Sequence, residues 1–367
     1  MKSSSVYLDW NATTPPLAEV VDAMAEAARS SWGNPASVHA TGRTARDVVE
    51  TAREAVAALV GASARDVVLT SGGTEANNLA LHRAPALVTS VLEHPSVTRV
   101  AEVLEAAGRA VRWLPVPASG RLLAASVAEA LAGLPAGAVV AVAPANHETG
   151  VLQPIAEIAA VAREAGARLH LDAVQVAGKL PIEDLLGADT LALAAHKIRG
   201  PKGIGALVHR PERAPQPLLV GGSQERGRRP GTVDPVASAG FKVAVDWART
   251  SLGQRARLQA LRDQLEQALV GRGAVVNGAD ADRLGHVTNL SFPGRAGDEL
   301  VAALDLLGVA VSSGSACSAG TTEPSKIISA MLGVERARSA VRLSLGDATT
   351  GRDVELALAA FERALRA

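Results

Sequence analysis

Apolar residues recur at helical spacing over Leu17–Ser30 and Arg43–Val60, and each stretch predicts an amphipathic helix, the second closed by Gly61. Short apolar runs then take over, at Val67–Thr70, Ala86–Leu92, Val111–Val116, Ala138–Ala143, Arg168–Ala173, Thr190–Ala194 and Gly205–His209. Helical patterns such as Pro154–Ala165 separate most of them. This alternation predicts an α/β fold, a mostly parallel seven-stranded sheet with helices on both faces. Ligands of such sheets bind beyond the carboxyl ends of the strands.

The pattern changes after residue 220. Residues 221–233 form a Gly/Arg-rich loop, and a long helical stretch is expected from Pro235 to about Val270. Strands at Val287–Phe292, Val309–Ser312 and Val341–Leu345 then mix with helices at Gly297–Leu307, Ser325–Leu332 and Gly351–Arg366. That tail reads as a smaller α+β C-terminal domain.

Composition narrows the function. Of 367 residues, 48% are apolar but only 2% aromatic, so the core must be Ala/Val/Leu packing. Lys+Arg and Asp+Glu are both 37, and zero net charge gives no global attraction to nucleic acid or an anionic membrane. The first nine residues lack the apolar core of a signal peptide, and no apolar run is long enough to span a bilayer. With a single cysteine, the expectation is a cytoplasmic protein. No His/Cys/Asp spacing suggests a metal site; at most, Cys317 is a transient cluster ligand.

That cysteine, Cys317, sits in Ser312-Ser313-Gly314-Ser315-Ala316-Cys317-Ser318-Ala319-Gly320. A lone thiol is usually an inert core residue, but too few bulky neighbours surround this one to bury it, so it is read as a candidate nucleophile. Lys197 follows the apolar run Leu191–Ala195 and His196, and precedes a glycine-rich turn. A lysine there projects into the ligand crevice and suits Schiff-base chemistry; the competing reading is a surface lysine. Asp172 ends another apolar strand, where it either meets a cation or caps a turn. Thr70-Ser71-Gly72-Gly73-Thr74-Glu75 joins a strand to a helical segment, as a phosphate cradle does. Lysine, carboxylate and cradle together are what pyridoxal phosphate needs. His94, after a further strand, is placed to stack on a planar ring or carry protons. Arg342 lies inside an apolar strand, and either grips a substrate carboxylate or makes a structural ion pair.

These segments resemble the cysteine desulfurases, the NifS/IscS-like branch of the class V aminotransferase-like, fold-type I pyridoxal phosphate enzymes. The likeness runs nearly end to end, through Tyr7-Leu8-Asp9, Gly33-Asn34-Pro35, Thr70–Glu75, Glu93-His94, His170–Gln175, His196–Gly203, Glu225-Arg226-Gly227, Gly231-Thr232, Ser312–Cys317 and Arg342–Gly346. It implies an N-terminal arm (1–16) packed with the small domain, a large cofactor-binding domain (17–250) and a small domain (251–367) carrying the Cys317 loop. By this resemblance Lys197 holds pyridoxal 5'-phosphate, Asp172 pairs with its ring nitrogen, Gln175 touches its ring oxygen, and His94 stacks and shuttles protons. Gly73, Thr74 and His196 hold the phosphate, with Thr232 crossing from the partner of a homodimer. Asn34 and Arg342 take the carboxylate of L-cysteine, and Cys317 receives the sulfur for an acceptor protein in iron–sulfur assembly or thiolation.

Two positions depart from the family pattern. In Asn146-His147-Glu148 the family has a second asparagine where this chain has His147, at a position that by the resemblance lies near the cofactor and the substrate carboxylate. Ala194 replaces a phosphate-binding serine. The alternatives to a desulfurase are a selenocysteine lyase, an aminotransferase or other lyase of the same fold, and a catalytically weak scaffold subunit.

Overall fold

The computed structural model describes residues 6–181, 185, 187–314 and 323–366. After a short first strand, β1 (Val6–Tyr7), the central sheet is built from β2 (Val67–Thr70), β3 (Ala86–Thr89), β4 (Ala110–Trp113), β5 (Val139–Val142), β6 (Arg168–Asp172), β7 (Thr190–Ala194) and β8 (Gly205–His209). Their order is β2-β8-β7-β6-β5-β3-β4, parallel throughout except for β8, which runs antiparallel to both its neighbours. The expected α/β sheet is therefore present. Strands β2, β3, β5 and β8 are buried along their whole length, which is why they read as unbroken apolar runs. The edge strand β4 alternates instead between exposed and half-buried positions.

Small residues let the helices lie close to the sheet and to one another. Helix Pro235–Thr250 buries Ala237, Ala244 and Ala248 around Phe241, and a Cβ at Gly240 would meet Met24 Cγ at 2.8 Å. An aromatic-poor sequence thus still packs densely.

A second core gathers around β9 (Val275–Val276), β10 (Val287–Ser291), β11 (Val309–Ala310) and β12 (Ala340–Ser344). Strands β12, β10 and β9 form an antiparallel sheet, and Phe292 stacks on Phe361 at 5.6 Å. The start of the chain joins this core: β1 pairs in parallel with β11, and Val6 and Leu8 are buried in it.

One expected element is corrected. The stretch from Pro235 to Val270 is not one helix but two, Pro235–Thr250 and Arg255–Val270, joined by a 3-10 turn at Ser251–Gln254. The Thr250 hydroxyl donates back to the Trp247 carbonyl, and the Ser251 hydroxyl reaches the Ala248 and Gly178 carbonyls. These local bonds, with Gly253 next in line, compete with helix continuation.

The Gly/Arg-rich loop is fastened to the sheet by a buried ion pair. Arg53 Nη1 and Nη2 donate to Glu225 at 2.6 and 2.7 Å, and Leu69 N donates to the same carboxylate. Both side chains are almost fully buried. Glu225→Ala leaves the Leu69 amide unpaired and Arg53 with only the Val67 carbonyl and the partly exposed Glu50 carboxylate, so about 1–3 kcal/mol of stability is lost, readable as a lower urea midpoint.

Candidate active site

The carboxyl ends of the strands converge on a cavity of about 900 Å³, part of it open to solvent. Gly73 and Thr74 follow β2, His94 follows β3, His147 follows β5, Asp172 ends β6, and His196 and Lys197 follow β7; all of them line it. Gln175, Ala194 and Arg342 complete the wall.

Each side chain is held by identifiable partners. Lys197 Nζ donates to the backbone carbonyls of Asn11 and Ala12, the latter at 3.0 Å. Gln175 Nε2 donates to the same Asn11 carbonyl. Asp172 Oδ2 accepts from Asn77 Nδ2 at 2.8 Å, and its Oδ1 accepts from Val174 N. Since Asn77 uses its amide NH₂ as donor, its Oδ1 must accept, and it does so from His170 Nε2 at 2.9 Å. Burial keeps His170 neutral, with a pKa pushed down to about 3, so its Nδ1 accepts from the Thr190 hydroxyl. A polar chain of Thr190, His170 and Asn77 therefore fixes the Asp172 carboxylate.

His94 caps helix Pro95–Ala106: its Nδ1 accepts from Ser96 N at 3.1 Å and lies 2.8 Å from Ser96 Oγ. That leaves Nε2 to carry the proton of the neutral ring. Burial lowers the His94 pKa, Asp172 pushes it back up, and Lys197 lowers it. His196 is pushed down to about 4 by burial and by Lys197, Lys202 and Lys179, so it is a neutral hydrogen-bonding group at pH 7.

The glycine segment behaves as a cradle. Helix Gly73–Leu81 begins after Gly72 at φ 150° with no side-chain cap, so its first-turn amides keep their donors for a ligand. A Cβ on Gly73 would meet Val174 Cγ2 at 2.8 Å. Glu75 reaches back to Ser71 N and pairs with Arg229 at 2.9 Å, which steadies the turn.

Some expected residues stand elsewhere. Asn34 and Thr232 line a separate cavity with Arg46 and Arg226. Asn146 does not line the central cavity: its Oδ1 accepts from Glu148 N, Thr149 N and Thr149 Oγ1, and its Nδ2 donates to the Leu92 carbonyl. This asparagine shapes the turn that presents His147. Cys317 lies outside the described residues. Arg342 makes the structural ion pair, its Nη2 donating to Asp9 Oδ1 at 2.6 Å, and it also lines the cavity.

Other residues carried no individual signal in the sequence. Lys179 is a half-buried lysine near Lys197, its pKa lowered to about 7 by desolvation and by that neighbour. Burial and the Asp172 charge raise the Glu93 carboxyl well above the usual range. Glu93 belongs to the Glu93-His94 motif and Lys179 follows the His170–Gln175 motif, but neither stood out for a property of its own. Among the described residues no cluster of three His, Cys, Asp or Glu is placed to hold a metal, and no helix is long and apolar enough to cross a membrane.

A sheet whose strand ends gather a lysine, a carboxylate and a glycine cradle defines a class. The class-V aminotransferase family model matches residues 6–357, and the chain belongs to that family. Within it the chain belongs with the NifS/IscS-like cysteine desulfurases. It is 37% identical over 371 residues to the cysteine desulfurase IscS of Dictyoglomus turgidum, covering 98% of this chain and 94% of that one. The fold matches a NifS-like protein from Rickettsia africae with a TM-score of 0.89 and 30% identity, over 99% of this chain and all of the other. It also matches the structure of SspA in complex with cysteine, with a TM-score of 0.80 and 32% identity, over 93% of this chain and 99% of the other.

Proposed function

We propose that this protein is a pyridoxal phosphate-dependent cysteine desulfurase, which converts L-cysteine to L-alanine and leaves the sulfur on Cys317 as a persulfide. The observation that carries the reading is the placing of Lys197, Asp172 and the Gly73 cradle around one cavity. The residues present fit the cofactor. Lys197 is the amine for its aldehyde, Asp172 the buried anion for its ring nitrogen, Gln175 the contact for its ring oxygen, and His94 the stacking partner. Gly73, Thr74 and His196 hold its phosphate, with one hydroxyl fewer because residue 194 is alanine.

When bound, the cofactor supplies an electron sink that labilises the substrate bonds at Cα and Cβ. The protein supplies the rest. Arg342 holds the substrate carboxylate, Lys197 moves the α-proton with His94 beside it, and the cavity walls limit the water around the reacting atoms. The Cys317 thiolate attacks the substrate sulfur. The carbon–sulfur bond breaks, a sulfur–sulfur bond forms, and alanine leaves after Cβ regains a proton, so cysteine and thiol balance alanine and persulfide.

Thr232 lies away from this chain's own cavity, in keeping with a homodimer in which it serves the partner's site. Trp32 (72% exposed), Val38 (83%) and Val220 (fully exposed), close in sequence to Asn34 and Thr232, supply apolar surface for that contact. The single cysteine suits a reducing cytoplasm, where a persulfide is handed to an acceptor protein of iron–sulfur assembly or thiolation.

Cys317→Ala is the direct test. The variant keeps the absorption of the bound cofactor and forms no persulfide, read by alkylation and mass spectrometry after exposure to L-cysteine. Sulfur delivery by this variant at the wild-type rate would remove Cys317 from the reaction.

A further inference from the structure

One wall of the cavity carries two buried nitrogens without a hydrogen-bond partner among the described residues, Arg342 Nε and His147 Nε2. A buried donor left unmade costs about 1–3 kcal/mol, so such a wall is suited to an acceptor that arrives with a ligand. The two groups form one rigid unit. Arg342 Nη1 donates to the His147 carbonyl at 3.2 Å, Asn11 Nδ2 donates to the same carbonyl at 3.1 Å, and Arg342 Nη2 is engaged by Asp9.

The charges facing the His147 ring pull in opposite directions. His94 lies edge-on to it at 5.6 Å, and Lys197 and Arg342 share its cavity. Glu148 Oε1 stands 3.9 Å from His147 Nε2, near enough for attraction but too far for a hydrogen bond. This carboxylate is anchored: Glu148 Oε2 accepts from the Ser325 hydroxyl at 2.5 Å, and Ser325 caps helix Lys326–Leu332. Burial, then the charges of His94, Arg342 and Lys197, push the His147 pKa well below its usual value, so the ring is neutral without ligand. An anion beside Arg342 offsets those cations and leaves the ring between two negative charges.

We propose that His147 is a titrating second donor for the substrate carboxylate, taking a proton from solvent onto its imidazole as the carboxylate binds beside Arg342. The inference rests on the reading of Arg342 given above and extends it. Ligand anion and proton enter together, and no bond within the ligand changes. The sign follows from linkage. The ring's pKa is low in the free protein and higher in the complex, and between the two values binding consumes a proton. Affinity therefore falls as pH rises through that window, with a slope that approaches about tenfold per pH unit, and is level on either side of it.

The test is calorimetry on the holoenzyme with 3-hydroxypropionate, a carboxylate without amine or thiol, in buffers of different ionisation enthalpy. Wild type is expected to take up close to one proton per ligand inside the window. His147→Asn retains a hydrogen-bonding side chain but cannot titrate, so its uptake vanishes and its affinity becomes level with pH. His147→Gln serves as a second variant, and cofactor absorbance checks that each remains folded. Glu148→Gln is expected to move the window to lower pH. Three results overturn the inference: no binding by wild type, binding without proton uptake, or uptake that persists in both His147 variants, which assigns it to His94. Alanine release from L-cysteine is measured separately. Its absence, with proton-linked carboxylate binding intact, sinks the desulfurase reading and leaves this one standing.

Discussion

Lys197→Ala is expected to abolish turnover, lowering kcat by at least about 10³-fold, because one residue supplies both the covalent anchor and the mobile base. The amine is seated by the Asn11 and Ala12 carbonyls, whereas Lys179 lines the adjoining cleft bordered by Trp247 and His286. Borohydride reduction followed by mass spectrometry separates this loss from misfolding. Wild type retains the mass of the cofactor on residue 197, whereas the variant binds the cofactor reversibly and retains none. Lys197→Arg keeps the positive charge and is expected to be equally inactive, since guanidinium stays protonated at working pH. Measurable turnover by either variant counts against the assignment.

Asp172→Asn preserves the shape of the side chain and can still accept from Asn77, but it removes the charge. Losing one member of a buried charge pair costs about 3–5 kcal/mol, which corresponds to roughly 10²- to 10³-fold or more in turnover if the pair matters fully in the transition state. The substitution also has a signature that a general loss of stability lacks. Asp172 raises the proton affinity of His94 and disfavours ionisation of Glu93. Without it the His94 pKa falls further and the Glu93 pKa falls from its raised value. Titration of the bound cofactor's absorption against pH reads these shifts, and a profile identical to wild type would show that Asp172 does not face the ring.

The parts legible in the sequence were those whose physics is local. Strands β2, β7 and β8 fall on the apolar runs read from the chain, because strands buried on both faces need unbroken apolar segments. Lys197 and Asp172 stood out as charges at the ends of such runs. Sequence did not show which backbone groups seat the lysine, since a carbonyl has no residue-type signature. Nor did it show the polar chain behind Asp172, whose members Thr190, His170 and Asn77 come from three separate elements. Asn146 illustrates the reverse case: a polar residue beside the cavity whose amide is consumed by its own turn. The helix expected over Pro235–Val270 failed because hydroxyl-to-carbonyl bonds at Thr250 and Ser251 outweighed an otherwise favourable pattern.

The threading of the first residues has a bearing on biosynthesis. Val6 pairs with Val309, and Asn11 N is held by the hydroxyl of Ser344, while the carbonyl of Asn11 seats the lysine. Contacts across some three hundred positions cannot form on a nascent chain until residues 309 and 344 have themselves emerged from the ribosome. The central sheet can take shape earlier in translation, but the lysine's seat is completed only once Ser344 is available to hold Asn11.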